Sequence, residues 1–128
     1  MKLTTFAAAI VAGLLVAPVA HAAGWILLGV REVTDRVDHD EIVLAGHARY
    51  NHIRVCAYRH PVHFYNVTVH YQNGGAQDVS IASNIPRGGC SRAIDLNGGD
   101  RDITRIAFTY EATGWGWHDA TVRVYGRL

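Results

Sequence analysis

Through most of this chain apolar and polar residues alternate, so successive side chains fall on opposite faces. That is the period of a half-buried β-strand and not of a helix. In residues 52–59, Ile53, Val55 and Ala57 share one face, and Arg54, Cys56 and Tyr58 share the other. Ile106, Phe108 and Tyr110 repeat the pattern within 103–111, as do Ala120, Val122 and Val124 near the end. Residues 25–33 open with an apolar run, and 41–45 form a short segment closed by Gly46. After Pro61, Val62 and Phe64 sit on even positions, but Val67, Val69 and Tyr71 sit on odd ones. A slip of one residue at Tyr65-Asn66 predicts a bulge or a break. Gln72-Asn73-Gly74-Gly75 predicts a hairpin turn with a return strand over 77–82, where Val79 and Ile81 point inward. A loop with Pro86 covers 84–89, a strand covers 90–96, and Asn97-Gly98-Gly99-Asp100 makes another turn. About eight short strands with Gly-rich turns and no helix imply an all-β chain. One polar face on most strands implies antiparallel pairing, hence an antiparallel β-sandwich.

The first residues have a different character. Met1 and Lys2 precede an apolar run over 6–19, and Ala20-His21-Ala22 supplies a small-x-small cleavage pattern. These are the parts of a secretory signal peptide spanning 1–22, which leaves 23–128 as a single domain, periplasmic or secreted. No later stretch reaches the ~20 apolar residues of a membrane span, so no transmembrane segment is expected in the mature chain. Lys2 is the only lysine among the 12 basic residues, and it leaves with the leader. The rest are arginines, balanced by 11 acidic residues. A chain with almost no net charge is not expected to bind nucleic acid, which requires phosphate neutralisation. Cys56 and Cys90 suggest one disulfide in an oxidising compartment, worth about 3 kcal/mol if it forms. The alternative is two unbridged cysteines in separate strands.

Several groups of residues carry possible chemistry. Arg92, Asp95 and Arg101, with Asp38 and Asp40, read as a structural ion-pair cluster. Arg92 lies two residues before Ile94, so it is expected on the core side of its strand, where a guanidinium must be paired. The run Asp35-Arg36-Val37-Asp38-His39-Asp40-Glu41 has the oxygen density of a calcium loop without the EF-hand spacing, and reads first as a solvated loop. His60 and His63, three apart across Pro61, are the candidate metal ligands, for zinc or copper. In Gly114-Trp115-Gly116-Trp117-His118, two tryptophans share one loop. Trp115 and Trp117, joined by Tyr110, form a candidate aromatic binding edge, for stacking on sugar rings or anchoring at a membrane interface, unless they fold back as a cap. Catalysis has little to stand on. No Gly-x-Ser-x-Gly elbow surrounds Ser80, Ser83 or Ser91, and His60 would lie ~13 Å along a strand from Cys56. Neither an enzyme nor a cofactor is expected.

The order of the pieces also resembles a family of small secreted bacterial proteins classed only as a domain of unknown function. The matching residues are Trp25-x-x-Leu28-Gly29, Asp38-x-Asp40-x-Ile42 and Val69-x-Tyr71-x-Asn73-Gly74. They continue with Gly89-x-Ser91-Arg92-x-Ile94-Asp95-Leu96, then Arg101-x-Ile103-x-x-Ile106-x-Phe108-x-Tyr110, then Ala120-x-Val122-x-Val124-x-Gly126. The resemblance implies a compact exported β-sandwich and brings no reaction, substrate or cofactor with it. The expectation is a non-catalytic binding or envelope-associated structural module with a protein or glycan partner in the envelope.

Overall fold

The computed structural model describes residues 24–44, 48–81, 84–114 and 119–128. Ten strands and no helix occur among them: β1 (Ile26–Val33), β2 (Asp38–Val43), β3 (Arg49–Tyr50), β4 (His52–Tyr58), β5 (Val62–Tyr71), β6 (Ala76–Asp78), β7 (Asn84–Ile85), β8 (Ile94–Asp95), β9 (Arg101–Ala112) and β10 (Ala120–Arg127). One sheet has the order β1-β10-β4-β8. The other runs β2-β9-β5-β6, with β3 also on β9 and β7 also on β5. Every pairing is antiparallel.

The alternation puts the core between the sheets. Ile53, Val55, Ala57, Val122 and Val124 come from the four-stranded sheet; Val62, Phe64, Val69, Ile106, Phe108 and Tyr110 come from the other. Phe108 and Tyr110 stack with centroids 5.4 Å apart, and Phe64 lies tilted against Tyr110 at 5.7 Å. Such aromatic contacts add stability beyond the area they bury. Two glycines let the sheets approach. A Cβ on Gly29 would meet Ile42 at 2.5 Å, and one on Gly126 would meet the Tyr50 ring at 2.8 Å.

The bulge falls where the phase slips. Phe64 opposes Tyr110 and Asn66 opposes Thr109, so Tyr65 is the extra residue, and both Tyr65 and Asn66 are exposed. The described strands number ten and not about eight, because β3 and β7 are added pairings two residues long. β3 and β7 are too short for a period to show, and the strand expected over 90–96 forms only at Ile94–Asp95. The predicted return strand over 77–82 pairs only through Ala76–Asp78. Asp38 to Asp40, read as loop, begin β2. Strand geometry turns Asp40 inward beside Phe108 and Glu41 outward beside Ala107, so these carboxylates do not converge as a calcium loop would need.

Cys56 and Cys90 form a disulfide. It fastens an irregular segment to the open side of β4, where the Gly88 amide donates to the Ala57 carbonyl (2.8 Å) and the Ser91 amide to Val55 (2.7 Å). Bridging residues 34 apart restricts the unfolded chain. Replacing both cysteines by serine is expected to lower the unfolding free energy by about 3 kcal/mol. Urea denaturation of the oxidised protein against the double variant checks this; equal midpoints would show that the bridge contributes nothing.

Candidate functional site

Strand β4 reads His-Ile-Arg-Val-Cys-Ala-Tyr and β10 reads Ala-Thr-Val-Arg-Val-Tyr-Gly-Arg. Once the valines and Ile53 face the core, the alternate residues must face outward. In the antiparallel register Tyr125 opposes Arg54, Arg123 opposes Cys56, Thr121 opposes Tyr58, and Arg127 opposes His52. On the other side of β10, Leu27, Val30 and Glu32 of β1 oppose Tyr125, Arg123 and Thr121. The outer face of the four-stranded sheet is therefore a lattice of arginines and aromatic rings edged by β1.

The guanidinium carbon of Arg54 lies 4.7 Å from the Trp25 ring centre and 5.3 Å from that of Tyr125. Arg127 lies 4.4 Å from Trp25, and Arg123 lies 4.7 Å from Tyr58. Flat contact with a ring fixes a guanidinium and leaves its N–H edge to point at a ligand. Arg54 Nε is shut off from solvent and has no hydrogen-bond partner. The Tyr58 and Tyr125 hydroxyls meet at 3.4 Å. That bond first, and then Arg123, pull Tyr125 below the ordinary phenol pKa against the opposing effect of burial, while Tyr58 is pushed up. The carboxylates on this face are engaged elsewhere. Glu32 takes Arg59 (2.5 Å) and the Thr121 hydroxyl (3.0 Å), and Asp95 takes His52 (2.6 Å). Among the described residues no carboxylate forms an ion pair with Arg54, Arg123 or Arg127.

The sites expected from the sequence fare differently. The five residues of the ion-pair cluster are dispersed. Asp38 accepts from the amide and hydroxyl of Thr34, both at 3.0 Å, and so closes the β1–β2 turn. Asp40 accepts the Tyr110 hydroxyl (2.8 Å). Arg92 is exposed, not core-facing, and donates to the Ser80 carbonyl (2.8 Å). Asp95 pairs with His52. Arg101 lies 3.7 Å from the Tyr71 ring centre and donates to the Asn97 carbonyl. The single-strand reasoning behind the cluster failed because the segment before β8 is irregular, so spacing from Ile94 does not set the direction of Arg92.

Trp115 and Trp117 lie outside the described residues. Tyr110 is fully buried, so it belongs to the core and not to a stacking edge. Burial, and then its bond to Asp40, push its hydroxyl pKa up and keep it a neutral donor. His60 sits in the β4–β5 turn with Nδ1 2.8 Å from the Asp119 carbonyl oxygen, whereas His63 stands on β5 edge-on to Tyr65 at 4.5 Å. Among the described residues no three His, Cys, Asp or Glu side chains gather to hold a metal. An open notch at the bulge, about 440 Å³, is lined by Tyr65, Asn66, Asp78 and Ser80, but Asp78 is taken by the Thr68 hydroxyl (2.8 Å).

No single sequence motif marks the arginine and aromatic face. Its signal is the outward phase itself: Arg54-x-Cys56-x-Tyr58 on one strand and Arg123-x-Tyr125-x-Arg127 on its neighbour.

A structure of Pseudomonas aeruginosa AlgX resembles this one with a TM-score of 0.44 and 16% identity, over 84% of this chain. The match spans 28% of that chain. No curated protein matches the sequence. Residues 7–126 match the family described as Domain of unknown function (DUF2541), and the chain belongs to that family.

Proposed function

We propose that this protein is a non-catalytic binding module acting outside the cytoplasm, with the outer face of the four-stranded sheet as its binding surface for anionic groups. One observation carries the reading: Arg54, Arg123 and Arg127 are held against aromatic rings, with no carboxylate paired to them among the described residues. Guanidinium forks fixed in this way match the paired oxygens of phosphate or carboxylate. Because the rings already hold the arginines in place, a ligand need not order those long side chains, which lowers the entropic cost of binding. The disulfide and the leader-like first 22 residues support an oxidising compartment. The roles that Tyr58, Tyr125 and the arginines can perform on an open sheet are to hold and orient an anion.

Binding to inorganic polyphosphate and to polygalacturonate, with neutral dextran as control, tests the surface. The protein is expected to bind both polyanions with an affinity that falls as salt rises. Arg123→Ala and Arg127→Ala should each weaken binding and flatten the salt dependence, whereas Arg105→Ala, paired with Glu41 on the opposite face, should not. Unchanged binding in the Arg123 and Arg127 variants would refute this surface.

The Tyr58–Tyr125 hydroxyl bond first, and the Arg123 guanidinium after it, act on the Tyr125 phenol. In a phenolate absorbance titration, the difference between wild type and Tyr125→Phe should show one tyrosine ionising below the usual value of about 10. Arg123→Ala should move that step upward. A Tyr125 that titrates at or above the ordinary value would show that neither the Tyr58 bond nor Arg123 favours its phenolate.

A further inference from the structure

At β1 the arginine lattice meets two apolar residues, with Glu32 beyond them in the row of Thr121. Leu27 and Val30 stand in the same rows as Tyr125 and Arg123, on the same side of the sheet, and are 49% and 38% exposed. Trp25 lies at the end of the face against Arg54 and Arg127. A soluble polyanion would leave Leu27 and Val30 in water, whereas a lipid surface would bury them. A surface with anionic headgroups above an apolar layer uses both parts at once.

We propose that this face docks on an anionic lipid surface. The proposal rests on the anion-binding reading above and names the source of the anions. Arg54, Arg123 and Arg127 meet headgroup phosphates, Trp25 and Tyr125 lie at headgroup level, and Leu27 and Val30 enter the boundary with the acyl chains. The occupant follows from charge and shape. Among the described residues the arginines have no carboxylate ion-pair partner, the apolar residues occupy the adjoining strand, and the strands carrying both belong to one sheet face. Docking is peripheral, and the sheet itself stays outside the hydrocarbon.

Sedimentation of the full chain with vesicles tests this. The probes are vesicles of phosphatidylcholine alone, vesicles containing phosphatidylglycerol, and soluble inorganic polyphosphate. Binding is expected to phosphatidylglycerol vesicles, at least tenfold over phosphatidylcholine, and to weaken with salt. Arg123→Ala and Arg127→Ala should each lose about fivefold. Leu27→Ser with Val30→Ser should lose vesicle binding yet keep polyphosphate binding, with a melting curve showing the fold intact. If polyphosphate binds through the arginines but vesicles bind no better, or the Leu27 and Val30 variant binds vesicles as wild type does, the lipid proposal is overturned and the anion-binding reading stands. If neither probe binds, both fall; if phosphatidylcholine binds as well as phosphatidylglycerol, the lipid proposal falls and polyphosphate binding alone decides the anion-binding reading. The wild-type comparison of the two vesicle types needs no variant to decide the matter.

Discussion

The register of β10 between β1 and β4 is the constraint on which the rest depends. In that register Val122 and Val124 enter the core beside Ala57 and Val55, and Arg123 and Tyr125 are turned to solvent. A slip of one residue would exchange the two sets. It would bury guanidinium groups without partners, at a cost of several kcal/mol each, and expose the valines. Burial of the core and presentation of the arginines are therefore one event. Gly126 ties the register down further, since only a residue without a Cβ fits against the Tyr50 ring.

The edges of the sheets are handled by different means. On the open side of β4, the disulfide and a short ladder to residues 88–91 cover the strand. At the other margin, the Arg31 guanidinium donates to the Glu41 carbonyl through Nε (2.9 Å) and Nη2 (2.6 Å). It thereby spans from β1 of one sheet to β2 of the other and satisfies a carbonyl that an edge strand would leave bare. Arg59 adopts a left-handed backbone (φ 73°) in the turn after β4 and reaches Glu32 on β1. These contacts are polar and local, and they leave the apolar side chains of Leu27 and Val30 uncovered.

Most of the architecture was legible from period alone. The faces of β4, β9 and β10, the bulge at Tyr65 and the hairpin at Asn73-Gly74 all follow from where alternation holds and where it slips. Two-residue strands such as β3 and β7 were not, because a pairing that short is decided by its neighbours and not by its own pattern. The residues that carry the family resemblance have structural work. Gly29 and Ile42 touch, Asp40 receives Tyr110, and Asp38 closes a turn. The candidate site was harder to see for a physical reason. Its residues are spread over three strands and meet only through register, and a single strand shows no more than an outward arginine.

Net charge hid the same feature. With acids and bases nearly equal in number, the chain as a whole exerts little long-range pull. Binding, however, responds to charge within about a Debye length, not to the sum over the molecule. The acids and bases are not evenly mixed. Asp38 and Asp40 are spent on Thr34 and Tyr110 at β2, and Glu41 on Arg105, on or beside the six-stranded sheet. On the four-stranded sheet, Glu32 and Asp95 are spent on Arg59 and His52, which leaves three arginines to the rings. A neutral total thus excludes a uniformly basic protein, but a fold with two independent outer faces can place an uncompensated basic lattice on one of them.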